Sequence, residues 1–273
     1  GVGRVRVVVV PEPGSGEPAL EVRGLSVTYG GITAVSDVSI DVWPGELVGL
    51  IGPNGAGKTT TIDAITGFVP CRGFIRVAGT DLTGSSPHRR VRAGLARTWQ
   101  AVELFEDLTV AEHLRVAAPS SGLRDLLADL VRPRRGVRSG GRDVDRRILE
   151  SLELAGVADE VVADLPHGTQ KLVGVARALA TDPSVLLLDE PAAGLDAEEG
   201  RAFGVRLRGL AADGLSIVLV DHDVELVMST CDRVVVLDFG SVIASGTPER
   251  IRADRRVQEA YLGAPSPDPG RPS

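Results

Sequence analysis

The stretch that most constrains this chain is ELVGLIGPNGAGKTTTIDAITG, Glu46 to Gly67, an aliphatic run followed by a glycine-rich turn and a helix-forming segment. Residues 52–59 keep the spacing G-x-x-x-x-G-K-[ST], in which a buried strand delivers the chain to a loop and the loop opens a helix. Glycines at 52, 55 and 57 put no Cβ between the backbone and a bound phosphate chain, so successive N–H groups can turn inward. The positive end of the following helix adds to that field. A nucleoside triphosphate is therefore expected along Gly52, Pro53, Asn54, Gly55, Ala56, Gly57 and Thr60, with Lys58 on its β- and γ-oxygens and the Thr59 hydroxyl on Mg2+. The lysine is not a by-product of composition. Of 30 Lys and Arg residues in the chain, only Lys58 and Lys171 are lysine.

The 273 residues suffice for one large domain, or for one core with an inserted subdomain. A net charge of −7 gives no general attraction to nucleic acid, so no such partner is expected. Cys71 and Cys231 are too few for a disulfide framework and lack metal-ligand spacing, which favours a reducing cytoplasm. No run of about 18 apolar residues is present, so no segment is expected to span a bilayer.

Residues 1–18, which include PEPGSGEP, read as a flexible segment or linker. LEVRGLSVTYG and AVSDVSIDV alternate as two strands around Gly30-Gly31, the first ending at Tyr29, and GFIRVAG at 73–79 joins them in an antiparallel sheet. PHRRVRAGL reads as a short helix and LARTWQ as a strand ending on Gln100. Thr109 and Glu112 form a capping box. A helical LRDLLADLV, an arginine-rich connection read as a solvated link, and a helix over RRILESLELAG complete an inserted helical subdomain at about 101–168. The helix from Leu165 to Ala180 presents Leu172, Val175, Ala176 and Leu179 on one face. SVLLLDE and LSIVLVDH read as parallel strands covered on both sides. Asp196 and Glu199 cap a further helix between them. A hairpin through Phe239-Gly240, two short helices to Leu262 and a disordered tail over 264–273 end the chain.

Aliphatic strands alternating with helices, with the phosphate loop after one strand, predict a three-layer α/β fold with nucleotide at the carboxyl ends of the strands. The fold class is a P-loop ATPase core carrying an antiparallel β subdomain and an inserted helical subdomain. In VLLLDE, Asp189 is placed to orient Mg2+ through its water shell and Glu190 to polarise water for attack on the γ-phosphate.

Taken together, these motifs resemble the ATP-binding subunits of ABC transporters from about Leu20 to Gly263. The resemblance implies an ATPase with ATP and Mg2+ as its cofactors. It assigns Gln100 as a lid residue sensing metal and γ-phosphate, His222 as the switch histidine, and Tyr29 as the aromatic stacked on adenine. LPHGTQ at 165–170 takes the signature position, and AGLD ending at Asp196 the loop that faces the opposite site. The signature usually reads LSGGQ. Here Pro166 removes the serine hydroxyl, and His167, Gly168 and Thr169 are left to close a partner's site in trans together with Asp196. Each chain then holds two half-sites, which requires a second ATPase chain, either a copy or a sister subunit. Permease subunits in the membrane would complete the machine, placing this chain on the cytoplasmic face of the cell membrane.

LARTWQAVELFEDLTVAEHL, DEPAAGLD and the ending SGTPERIR…VQEAYLG are most similar to the ATPases of importers for branched-chain amino acids or related small polar solutes, which also use an external substrate-binding protein. Two other classes share the core. One is a lipid-export ATPase, whose usual LSGGE-type signature is absent here, and the other a soluble non-transport ABC ATPase such as one serving iron–sulfur assembly.

Overall fold

The computed structural model describes residues 16–98, 104–118 and 139–262. The residues expected to form the first part of the leading linker (1–15), LRDLLADLV, Trp99, Gln100, most of the arginine-rich connection and the tail over 264–273 lie outside them.

Strands β1 (Leu20–Tyr29) and β2 (Ile32–Val42) pair antiparallel from Leu20↔Val42 to Tyr29↔Ile32. They meet at Gly30-Gly31, both at positive φ (52° and 91°), which lets a two-residue turn follow the strand twist. After β3 (Leu47–Ile51) and α1 (Lys58–Thr66), β4 (Arg72–Val77) pairs with the other edge of β1, and β5 (Thr80–Asp81) closes a sheet of order β2-β1-β4-β5. Helix α2 (Pro87–Arg92) leads to β6 (Leu95–Arg97), followed by α3 (Val110–Ala117), α4 (Ser139–Ser151) and α5 (His167–Leu179). The chain then alternates through β7 (Val185–Asp189), α6 (Ala197–Ala212), β8 (Ser216–Val220) and α7 (Val224–Thr230). The hairpin β9 (Arg233–Asp238) and β10 (Ser241–Gly246) precedes α8 (Pro248–Ala253) and α9 (Arg255–Leu262).

The second sheet has the order β10-β9-β3-β8-β7-β6, parallel except for the β10 edge. Side-chain parity explains its unbroken aliphatic strands. Val48, Leu50, Leu187, Val218 and Val220 enter a core shared with α1 and the antiparallel sheet. Leu47, Ile51, Leu186, Leu188, Ile217 and Leu219 enter one shared with α3, α4, α5, α6 and α7. Alternate residues on a strand face opposite sides, so a strand covered on both faces carries no polar alternation. Each such side chain contributes about 1.5–3 kcal/mol on burial. The three expected layers are thus the antiparallel sheet with α1, the parallel sheet, and the helices behind it.

The capping boxes at Thr109/Glu112 and Asp196/Glu199 are both present, with reciprocal side-chain and backbone bonds. Among the described residues β6 runs to Arg97 and has β7 as its neighbour, and Gln100, on which the strand was expected to end, lies outside them. The β6–β7 pairing runs from Leu95↔Val185 to Arg97↔Leu187, and Thr98 N–H makes one further bond to Leu187 O (2.9 Å). The residue-168 limit expected for the helical subdomain falls in the first turn of α5, and α3 and α4 share their core with the parallel sheet.

Candidate nucleotide site

The loop over residues 52–57 leaves the carboxyl end of β3 and opens α1, as the motif requires. Its shape is set from below by the β9–β10 turn. Gly240 N–H donates to Ala56 O (3.0 Å), and Ser36 N–H donates to Gly240 O (2.8 Å), tying the loop to both the hairpin and β2. Gly52 sits so close to β9 that an added Cβ would lie 2.1 Å from Leu237 O. Gly55, at φ 81°, has nothing within 4 Å of that position, so the loop stays open on the side where Asn54, Gly55 and Thr59 are exposed. Gly52→Ala is therefore expected to cost more than about 1 kcal/mol, the threshold for alanine in an incompatible backbone site. A urea midpoint below wild type, with an unchanged m-value, would show it.

Lys58 is 8% exposed, and its ammonium donates to Gly52 O (2.7 Å) and Pro53 O (3.1 Å). Two of its three N–H groups thus brace the loop, and the third is available to a phosphate oxygen. Burial pulls its pKa down, while the Glu190 and Asp189 carboxylates push it back up. The loop cation and both acids therefore share one field.

Asp189 ends β7 and is 1% exposed. Its Oδ2 accepts from Arg97 Nη2 (2.7 Å), and Arg97 Nη1 donates to Asp63 Oδ1 on α1 (2.5 Å). Among the described residues its Oδ1 is buried without a hydrogen-bond partner, and so is Oγ1 of Thr98, the residue after Arg97. A buried, partnerless carboxylate oxygen beside a phosphate loop fits the water shell of a divalent cation, so these residues are compatible with Mg2+. Burial raises the Asp189 pKa, the Arg97 hydrogen bond and charge lower it, and Glu190 and Asp63 raise it again.

Glu190 has φ 47°, an uncommon region for a non-glycine residue, and its N–H donates to Val220 O (2.7 Å) at the end of β8. This bond turns the chain at the end of β7, and the Glu190 charge acts on Lys58 of the loop. His222, with a side chain 59% exposed, places Nδ1 3.8 Å from Glu190 Oε2 and 3.5 Å from Asp221 Oδ1. Tyr29 stands half exposed at the end of β1, with exposed Ile32 opposite it. Three residues further along β2 from Ile32, Val35 borders Gly57.

The residues expected to act in trans lie elsewhere. His167 is exposed at the start of α5, whose N-cap Pro166 makes no side-chain cap bond, so the amides of His167, Gly168 and Thr169 open the helix. Its ring rests against Gly194, where an added Cβ would stand 3.3 Å from Nε2. Among the described residues no hydrogen bond or ion pair joins His167, Gly168, Thr169 or Asp196 to the phosphate loop. Asp196 Oδ1 is occupied within the chain, accepting from Glu198 N–H (2.8 Å) and Glu199 N–H (2.9 Å). Those bonds lower its pKa. Gln100 lies outside the described residues.

Sequence reading gave no role to three residues at this site. Arg97 was visible only as part of ARTWQ, and Asp221 only as the residue before His222. Tyr261 was visible only in VQEAYLG. Burial pushes its pKa up to about 12, against an opposing influence of the Gly52 backbone.

Comparison with known proteins agrees with this geometry. The family described as ABC transporter matches residues 35–193, and that described as branched-chain amino acid ATP-binding cassette transporter matches residues 241–266. The chain is 39% identical over 251 residues to the high-affinity branched-chain amino acid transport ATP-binding protein BraF of Pseudomonas aeruginosa, covering 90% of this chain and 98% of that protein. It is 38% identical to LivG of Escherichia coli, a protein of the same description, over the same shares. To the lipopolysaccharide export system ATP-binding protein LptB of Haemophilus influenzae it is 34% identical, covering 89% and 97%. Among solved structures, the ADP conformation of MJ1267, an ATP-binding cassette of an ABC transporter, superposes with a TM-score of 0.78 at 29% identity, covering 91% of this chain and all of that one.

Proposed function

The chain belongs to the ABC transporter family as an ATP-binding subunit, and from that premise we propose that it drives an importer of branched-chain amino acids. The observation that carries the substrate class is the match of residues 241–266 to a branched-chain amino acid family, joined to BraF and LivG similarity along nearly the whole chain. LptB is less similar, and the LSGGE-type signature of lipid exporters is not present here.

ATP is held by the loop amides, Lys58 and the N-terminus of α1, with Tyr29 against the adenine. Positioning and charge stabilisation dominate phosphoryl transfer, so a preformed cradle supplies much of the catalysis. Thr59, Asp189 and Gln100 would hold Mg2+, which when bound would neutralise the charge that develops on the phosphates. Glu190 accepts a proton from the water that attacks the γ-phosphate as ADP leaves, and His222 beside it orients that carboxylate. The site is half complete. His167, Gly168, Thr169 and Asp196 complete the site of a second ATPase chain, and that chain returns the same service.

Among the described residues no helix is long and apolar enough to cross a membrane. Similarity to transport ATP-binding proteins supports permease subunits that form the pore, with this chain docked at their cytoplasmic face. A cavity of about 350 Å³ lined by exposed Val91, Phe105 and Val116 together with Arg177 and Lys171 supports such docking. A substrate-binding protein acts on the far side of the membrane and does not touch this chain. Affinity purification of the tagged chain from membranes is expected to recover integral membrane subunits together with a second ATPase chain. Recovery of a soluble scaffold in their place would refute the transport role.

A further inference from the structure

We propose that His113 is a positioning residue for permease docking, holding the main chain of Phe105 so that its ring stands at the cavity where the permease subunits engage. This rests on the docking role proposed for that cavity. His113 lies on α3 and is fully buried (0% exposed), and both of its ring nitrogens have partners. Phe105 N–H donates to Nε2 (3.0 Å), and Nδ1 lies 2.9 Å from Thr109 O. A backbone N–H only donates and a carbonyl oxygen only accepts, so the ring carries its proton on Nδ1 and leaves Nε2 to accept. These two partners together fit the neutral ring in one tautomer, because a proton on Nε2 would set a donor against Phe105 N–H.

The helix end of this link is fixed. Thr109 and Glu112 cap α3 reciprocally, while Val110 N–H donates to Glu160 O (3.1 Å) and Ala111 N–H to Ala158 O (2.9 Å). The turn before the helix is tied to the same segment, since Val162 N–H donates to Leu108 O (3.1 Å). Phe105 begins that turn, its carbonyl accepting from Leu108 N–H (3.2 Å). Its side chain is 54% exposed, so burial alone does not locate it. Among the described residues the imidazole is the only acceptor for its N–H. The two rings also face each other with centroids 6.0 Å apart, within the range of aromatic contact. His113 therefore sets both the main chain and one side of the Phe105 ring.

Phe105 lines the docking cavity with exposed Val91 and Val116, and Arg97 lines it too. Arg97 is the residue that holds Asp189 at the nucleotide site. A permease segment seated against Phe105 thus borders the arginine behind the metal-facing carboxylate. Loss of the His113 bond displaces the docking contact while leaving the phosphate loop untouched.

The test uses the full-length chain as wild type, His113→Leu, His113→Gln, Phe105→Ala and the Leu and Ala changes combined. Each is titrated into vesicles carrying the permease subunits, with any sister ATPase held constant, and Mg-ATP hydrolysis is read. His113→Leu is expected to raise the concentration for half-maximal hydrolysis on the order of tenfold, the effect of stranding one buried N–H, with binding of labelled ATP by the chain alone unchanged. The combined form is expected to match Phe105→Ala, because the histidine acts through that ring. His113→Gln, whose Oε1 can accept from Phe105 N–H, is expected to recover most of the loss. Nitrogen NMR of the wild-type chain is expected to show the His113 ring protonated on Nδ1 and not on Nε2. Losses that multiply in the combined form, a Gln form no better than Leu, or a ring protonated on Nε2 would overturn the inference. So would a His113→Leu form recruited as well as a wild type that is itself recruited. A wild type that the permease vesicles do not recruit would instead remove the docking role on which the inference stands.

Discussion

Glu190→Gln is expected to lower ATP turnover by about 10²–10⁴-fold, the contribution of a positioned general base, while leaving nucleotide binding intact. The amide keeps the shape of the side chain and its backbone bond to Val220 O, so the turn out of β7 survives. What it loses is the negative oxygen proposed to take the proton from water. Lys58 also loses one of the two carboxylates that hold its pKa up, but Asp189 remains. Retained binding of labelled ATP with turnover near background is the expected pair of results. Turnover within a few-fold of wild type would place the base elsewhere.

Arg97→Met is expected to destabilise the fold by about 3–5 kcal/mol, the cost of removing one partner from a buried ion pair. The Arg97 side chain is 6% exposed and bridges Asp189 at the end of β7 to Asp63 on α1. Without it the Asp189 carboxylate stays buried with a second acid, Glu190, beside it. Asp63 is partly open to water and can hydrate, which favours the lower end of the range. Arg97→Lys keeps the charge but cannot span two carboxylates with a planar fork, so it is expected to recover part of the loss. Urea unfolding of the three forms checks this, and equal midpoints for Met and wild type would show that the bridge contributes nothing.

Elements governed by local chemistry were legible in the sequence. The phosphate loop follows from glycines and a lysine at fixed spacing, the two capping boxes from residues three apart, and the hairpin from Phe239-Gly240. The parallel strands follow from unbroken aliphatic runs. What escaped depends on partners distant in the chain. Asp189 was read as a metal-facing acid, but half of its carboxylate belongs to Arg97, 92 positions earlier. Asp221 looks like a surface residue between a strand and a helix, and only its burial and its bond to Ala192 N–H in the loop after β7 show that it is enclosed. Asp196 read as a trans residue and as a helix cap, and its hydrogen bonds within the chain are those of the cap.

The most direct test of the whole account is leucine uptake into vesicles carrying the assembled complex, with ATP hydrolysis followed in the same sample. Uptake and Mg-ATP hydrolysis are predicted to rise together in the wild type and to vanish together with Glu190→Gln in this chain. Uptake that continues while this chain's hydrolysis is blocked would contradict its role as the motor.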